Sequence, residues 1–158
     1  MLKVVRVAAV LLFLLFAGAQ FVGPERTNPP ADAGQSLEER AHVPREVAAV
    51  LNRSCIDCHS NRTEWPWYSN VAPASWFVVD HVNHGRSHLN FSRWGEYDRR
   101  EATDLLNGIC GTAKGGSMPL ASYTLVHRGA RLAPRDWQTL CSWAGEEQAR
   151  LVSSDVKE

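Results

Sequence analysis

Two cysteines three positions apart, followed directly by a histidine, constrain this chain more than any other feature. Residues 55–59 are Cys-Ile-Asp-Cys-His. Thiols at this spacing lie about one helical turn apart, so they can reach neighbouring edges of a flat macrocycle. The adjacent imidazole then lies beneath the centre of that ring. The motif matches a c-type haem attachment site, with Cys55 and Cys58 bonded to haem and His59 as the proximal iron ligand.

Three other chemistries use paired cysteines. A thioredoxin-like dithiol needs a βαβ context, and the sequence has no convincing alternating strand pattern. A zinc site needs a second ligand pair, but the remaining cysteines, Cys110 and Cys141, are far apart and have no local partner. A disulfide within the motif would leave the following histidine and aromatic residues unexplained. Covalent haem is the interpretation that we favour.

The N-terminus has the pattern of an export segment. Lys3 and Arg6 precede an apolar run that reaches Val22 with one polar interruption. Positive charge stays on the cytoplasmic side, so the rest of the chain is expected on the outer, periplasmic face of the cytoplasmic membrane. A helix over residues 4–22 would be about 28 Å long, close to the ~30 Å hydrocarbon core. We favour a retained anchor over cleavage at the small-residue site Ala17-Gly18-Ala19.

Composition divides the rest of the chain. Residues 23–40 are rich in Pro, Gly, Asn and Asp and poor in apolar side chains, which predicts a flexible tether. We therefore expect a membrane anchor over 1–22, this tether, one haem-binding domain over 41–152 and a disordered tail over 153–158. Basic and acidic residues balance at 17 each, so no global field attracts nucleic acid.

Helical periodicity dominates the domain. Four helices are predicted, beginning near Pro44, Pro73, Asp98 and Pro134. The second should end at Gly85, and Asp98 with Glu101 has the pattern of a capping box. The glycine-rich stretch over 108–134 predicts an ordered loop instead. The fold class is all-α, a small cytochrome c-like helical domain around one haem.

The two cysteines outside the motif are disulfide candidates. Cys110 and Cys141 each lie on the apolar face of a predicted helix, and disulfides persist in the exported compartment. We predict a bridge between them. Two buried free thiols are the alternative.

Five segments in order carry a resemblance to a known family: QFVGPERTNPP, CIDCHSNRTEWPWYSNVAPASW, DHVNHGRSHLNFSRWGEY, GSMPLASYTLVHRGARL and the final tryptophan-containing helix. They resemble the bacterial haem-binding domain family, small exported proteins with a single C-x-x-C-H motif. The resemblance implies one covalent haem at Cys55 and Cys58 with His59 as proximal ligand, and periplasmic exposure on a membrane tether. It implies neither a defined reaction nor a partner.

The far side of the iron has several candidate ligands. Met118-Pro119 follows a glycine-rich approach and precedes the last helix, similar to the methionine loop of small monohaem cytochromes c. A soft thioether suits this position. A histidine would instead give bis-histidine ligation, and the candidates are His81, His84, His88 and His127. An open site is a further alternative. Among the aromatic residues near the motif, Trp67 and Trp76 are expected to line the haem pocket.

Three functions are compatible with such a site. We favour electron transfer by a single tethered haem, which implies a redox partner protein and needs no catalytic acid or base. A haem-based ligand-binding or sensing module would need an open or displaceable distal ligand. An enzyme, either peroxidase-like or a thiol oxidoreductase, is the third; peroxidase chemistry would need an open site with a proton-shuttling residue.

Overall fold

The computed structural model describes residues 1–153 and contains no β-strand within them, which confirms the all-α prediction. The α-helices are α1 (Leu2–Ala19), α2 (Leu37–Arg40), α3 (Arg45–Ser54), α4 (Ile56–His59), α5 (Ala74–His88), α6 (Arg99–Gly115), α7 (Ala121–Val126) and α8 (Pro134–Ser153). Short 3-10 turns cover Ala33–Gln35, Trp67–Asn70, Phe91–Glu96 and Arg128–Ala130.

Helix α1 is apolar and has no buried residue. Among the described residues it is the one helix long and apolar enough to cross a membrane. A helix of this kind at the N-terminus serves either as a membrane anchor or as a signal sequence.

The core lies where α6 and α8 pack along each other and α3 packs against α8. Leu106 of α6 and Leu140 of α8 are almost completely buried, and Val47 and Leu51 of α3 pack into the same cluster. Burying such side chains stabilises the fold by about 1.5–3 kcal/mol each. A disulfide between Cys110 and Cys141, with Cα atoms 4.6 Å apart, joins α6 to α8.

Helix α6 begins where the sequence predicts but extends beyond the start of the predicted loop. Asp98 accepts a hydrogen bond from the Glu101 amide, and the Glu101 carboxylate accepts one from the Asp98 amide, which completes the capping box. The loop predicted over 108–134 is wrong in part, because α6 continues to Gly115 and α7 forms within the stretch. Apolar residues at helical spacing outweigh the glycines here, since Ile109 and Ala113 are both buried against the core.

Helix α5 also differs from its predicted end. It does not stop at Gly85 but continues to His88. Gly85 is buried inside the helix, where its lack of a side chain permits close packing rather than a turn.

The stretch predicted as a tether lies along the domain. Leu37 is 1% exposed and belongs to the core cluster. Arg86 donates hydrogen bonds to the Thr27 carbonyl and the Asn28 side chain. The packed part of the chain therefore begins before the expected boundary at residue 41. At the other end Ser153 is the last residue of α8, and the rest of the predicted tail, 154–158, lies outside the described residues.

Candidate functional site

The cysteine motif forms a tight turn between two helices. Helix α3 ends at Ser54, Cys55 leaves the helical conformation, and α4 begins at once with Ile56. The amides of Cys58 and His59 both donate to the Cys55 carbonyl, at 3.2 and 3.0 Å. Both thiols are free and partly exposed. The motif therefore presents two unpaired sulfurs on one compact turn.

The His59 imidazole is held by backbone carbonyls. Its Nδ1 lies 3.0 Å from the Gly85 oxygen and 3.1 Å from the Leu89 oxygen. Carbonyl oxygens only accept, so Nδ1 carries the hydrogen and Nε2 carries the lone pair. Burial lowers the pKa of His59, although the two carbonyl contacts act against it, so the neutral imidazole is favoured. A neutral ring with a free Nε2 is the form that binds a metal.

Gly85 makes this arrangement possible. A Cβ atom at position 85 would lie 2.6 Å from the Cys58 carbonyl oxygen, closer than real Cβ contacts come. Helix α5 can therefore approach the motif closely only with glycine at this position.

A cavity of about 690 Å³ opens beside the motif. Cys55, Cys58 and His59 lie in its wall. Much of the remaining wall is apolar and comes from several elements: Leu89, Phe91, Leu105, Ile109, Ala113, Leu120, Leu132 and Leu140. The volume lies within the usual range for cofactor sites, and the apolar wall suits the faces of a porphyrin.

The buried hydroxyl group of Ser54 is separate evidence that the cavity binds a ligand. It lies in the cavity wall, and its buried Oγ has no hydrogen-bond partner in the described part of the chain. Buried hydroxyls are normally paired, so an occupant or a water molecule would supply the missing bond. Two free thiols, a metal-binding imidazole and a large apolar cavity together fit a covalently attached haem.

The thiols are neutral in the haem-free chain. Burial raises the pKa of Cys55 to about 12 and that of Cys58 to about 11. The nearby Asp57 carboxylate raises the Cys58 pKa further.

Met118 also lies in the wall of this cavity. Gly116 caps the C-terminal end of helix α6, and its φ of 71° is in the left-handed region that favours glycine. The amides of Ser117 and Met118 then both donate to the Thr112 carbonyl. This cap turns the chain back over the end of α6 and leaves the Met118 side chain 36% exposed.

Three of the histidines that are alternatives to Met118 as the distal ligand line the same cavity. His81, His84 and His88 all project from α5. The Nε2 atoms of His84 and His88 are 3.1 Å apart, one helical turn from each other, and both side chains are exposed. The structure thus brings Met118 and these three histidines to one cavity, whereas His127, the fourth histidine suggested by the sequence, does not line it.

Trp67 and Trp76 do not line this cavity, contrary to expectation. Trp67 is 77% exposed, and Trp76 donates its indole hydrogen to the Val22 carbonyl. Sequence proximity to the motif was a poor guide because Phe91, Leu105 and Ile109, which do line it, lie far along the chain.

The Arg86 side chain forms hydrogen bonds with several segments of the chain. Its guanidinium donates to the Ser60 and Thr27 carbonyls and to the side chains of Asn28 and Thr63. It therefore ties the motif to the N-terminal segment.

A second cavity of about 530 Å³ shares Cys58, His81, Leu120 and Tyr123 with the first. Tyr123 donates to the Asp57 carboxylate at 2.8 Å, and burial together with this contact raises the Tyr123 pKa. The Tyr68 hydroxyl lies 2.7 Å from His127 Nε2. Sequence analysis missed these pairs, because their members lie about sixty residues apart and no local pattern joins them.

Comparison with known proteins agrees with the geometry. A family model described as a haem-binding domain matches residues 14–146, so the chain belongs to that family. No curated protein and no solved structure shows significant similarity to the chain.

Proposed function

We propose that this member of the haem-binding domain family holds one c-type haem, joined by thioether bonds to Cys55 and Cys58, and carries electrons. The observation that carries the proposal is the environment of His59. Two backbone carbonyls hold its Nδ1, which leaves Nε2 free beside two unpaired thiols and a large apolar cavity. A thiol oxidoreductase would need the two thiols, but it would need neither the oriented His59 imidazole nor the large apolar cavity.

Attachment would join the two thiols of this chain to the two vinyl groups of haem. In each addition the S–H bond and one carbon–carbon π bond break, and an S–C and a C–H bond form, so no oxidant is consumed. When bound, the haem supplies a one-electron ferric/ferrous couple. The chain's own part is to hold the thiols on one turn and to fix the His59 ring.

Met118 is the proposed distal ligand. The carbonyls of Gly85 and Leu89 lie at the Nδ1 side of His59, so its Nε2 points away from the C-terminal part of α5. A ligand opposite His59 then comes most readily from the other side of the cavity. The loop after α6 carries Met118 into the cavity wall, whereas His84 and His88 directly precede Gly85 and Leu89, whose carbonyls hold the Nδ1 side of His59.

A filled sixth position favours a carrier over an enzyme. Methionine opposite histidine raises the reduction potential relative to two histidines and blocks access of substrate to iron. A ligand-binding, sensing or peroxidase-like function is the second candidate, and it has one observation in its favour. Met118 is 36% exposed and could be displaced, which would leave His81 near an open site.

Helix α1 supports a location on the outer face of the cytoplasmic membrane. Lys3 and Arg6 lie near its N-terminus, which keeps that end cytoplasmic and directs the domain to the periplasmic side. We propose that α1 is retained as a single-pass anchor. Carbonate washing should then leave the full chain in the membrane pellet.

The test replaces the thiols in cells that produce the cytochrome c maturation machinery. Cys55→Ala/Cys58→Ala should abolish haem staining on a denaturing gel. Cys110→Ala/Cys141→Ala is the matched control, because it also removes two sulfurs and should keep the stain. Staining that persists in the first variant would exclude covalent attachment at the motif.

A further inference from the structure

We infer that the face of the domain formed by Trp67, Trp76 and Phe77, here called the aromatic face, rests on the lipid surface of the membrane. The inference goes beyond haem binding, and it rests on the proposal that α1 is a retained anchor. It assigns a lipid-binding role to three side chains that the haem site leaves unused.

All three side chains of the aromatic face are exposed to solvent. Trp67 is 77% exposed, Phe77 is 64% exposed and Trp76 is 41% exposed. Trp67 and Phe77 line the same second cavity, and the turn Trp67–Asn70 packs against α5. Neighbouring exposed aromatic side chains of this kind mark an interaction surface.

The end of α1 is attached directly to this face. The Ala72 amide donates to the Gln20 side-chain oxygen at 3.0 Å, and the Gln20 amide group donates to the Ala72 carbonyl at 3.3 Å. The Trp76 indole donates to the Val22 carbonyl at 2.7 Å. Because α1 itself has no buried residue, it leaves the domain at this point.

These contacts set the depth of the aromatic face relative to a bilayer. Helix α1 has 18 residues and is about 27 Å long, close to the thickness of the hydrocarbon core. Its C-terminal end therefore lies at the membrane–water interface, and Ala72 and Trp76 lie at the same level. Tryptophan is enriched at that level because its ring is apolar and its N–H is polar.

A lipid surface explains the exposure better than a protein partner does. Phe21 and Val22, which follow α1, are 90% and 70% exposed and extend the apolar surface from the anchor to the domain. A partner protein would have to displace lipid from a face already held beside the anchor. The aromatic face borders the second cavity, and Cys58 also lies in the wall of that cavity. Lipid contact would therefore fix the orientation of Cys58 relative to the membrane.

The test uses the haem-loaded full chain in phosphatidylcholine vesicles that contain a phospholipid with a photoreactive diazirine near its headgroup. Illumination is followed by trypsin digestion and mass spectrometry. Residues 63–86, which carry the whole aromatic face, form one tryptic peptide, and most of α1 lies in the peptide 7–26. We expect lipid adducts on both peptides and none around Val152, which is 62% exposed, close to the value for Phe77, but lies on α8.

Two substitutions make the assignment specific. Trp67→Ser/Phe77→Ser removes exposed side chains without emptying the core and should lower adducts on 63–86 several-fold while those on 7–26 stay unchanged. Val152→Ser is the control and should change neither. Adducts on 7–26 with none on 63–86 would overturn the inference and leave the anchor intact. Absence of adducts from both peptides would overturn the anchor and the inference together, and adducts on 63–86 unaffected by the double variant would overturn the residue assignment.

Discussion

Gly85 and Cys58 are in backbone contact: a Cβ atom on Gly85 would lie 2.6 Å from the Cys58 carbonyl oxygen. Gly85→Ala should therefore push α5 away from the motif and loosen the carbonyls that hold His59. We expect a loss of about 1–3 kcal/mol in the free energy of unfolding, as for other overpacked sites. Denaturant unfolding of the full chain in detergent measures it.

Gly145→Ala is the matched control for that substitution. Gly145 lies inside α8, is exposed and has no atom within 4 Å of a Cβ placed there. Its replacement should stabilise the helix by up to about 1 kcal/mol. If Gly85→Ala proved as harmless as Gly145→Ala, the close approach of α5 would not be what sets the His59 geometry.

Removing the disulfide between Cys110 and Cys141 should weaken the core without affecting haem attachment. The bond closes a loop between α6 and α8 with a sequence separation of 31 residues, and the chain-entropy relation gives a stabilisation of about 3–4 kcal/mol. Cys110→Ala/Cys141→Ala should lower the free energy of unfolding by that order. In the unreduced wild-type protein, mass spectrometry after alkylation should show neither cysteine labelled. Labelling of both would contradict the bridge.

The haem-free chain should lose stability in alkali. Burial raises the pKa of Cys55 from its ordinary 9.0 to about 12 and that of Cys58 to about 11, so the folded chain holds these protons more tightly than the unfolded chain. The two thiols contribute to the free energy of unfolding, and this contribution is fully present below about pH 9. It is lost as the pH rises through about 11 to 12. Unfolding measured from pH 8 upward should show this decline.

Two variants test which ionisable groups cause the loss of stability in alkali. Cys55→Ala/Cys58→Ala should give a flatter profile between about pH 9 and 10, where the thiols dominate. Tyr123→Phe should change the profile only above about pH 10, because burial and Asp57 raise a tyrosine pKa that is already high. Parallel profiles for the wild type and the double cysteine variant would contradict the thiol assignment.

Met118→Ala should convert the haem-loaded protein from a carrier into a ligand binder. If Met118 binds iron, the oxidised protein has a weak far-red sulfur-to-iron charge-transfer band, and the substitution removes it. The reduced variant should also gain carbon monoxide binding. His84→Ala, which alters another side chain in the same cavity, should leave both properties unchanged. If the band is absent from the wild type and a histidine substitution opens the iron instead, the ligand is a histidine.

Local structure was predictable from the sequence where it depends on neighbouring residues, as in the capping pair Asp98 and Glu101. The spacing of Cys55, Cys58 and His59 is equally local, and the covalent haem that it indicates stays a prediction. Helical periodicity likewise sufficed for the all-α class. The family resemblance agreed with the haem-binding domain found over residues 14–146.

Contacts between distant segments were not predictable in the same way. Gly85 has the sequence pattern of a helix stop, yet it lies inside α5 because the motif packs against it. Leu37 lies in a polar, proline-rich stretch and is nevertheless in the core. Trp67 was expected in the haem pocket from its place in the chain, but the direction of a side chain depends on the packing of the whole turn.

The most direct test of covalent haem binding combines a pyridine haemochrome spectrum with the intact mass of the wild-type protein. The protein is produced with cytochrome c maturation and extracted with acidified acetone, which removes haem that is not covalently bound. We predict that the chain keeps the mass of exactly one haem and that its haemochrome band has the position of a haem with both vinyl groups saturated. A haem-free chain mass after extraction, or a band typical of intact vinyl groups, would contradict attachment through Cys55 and Cys58.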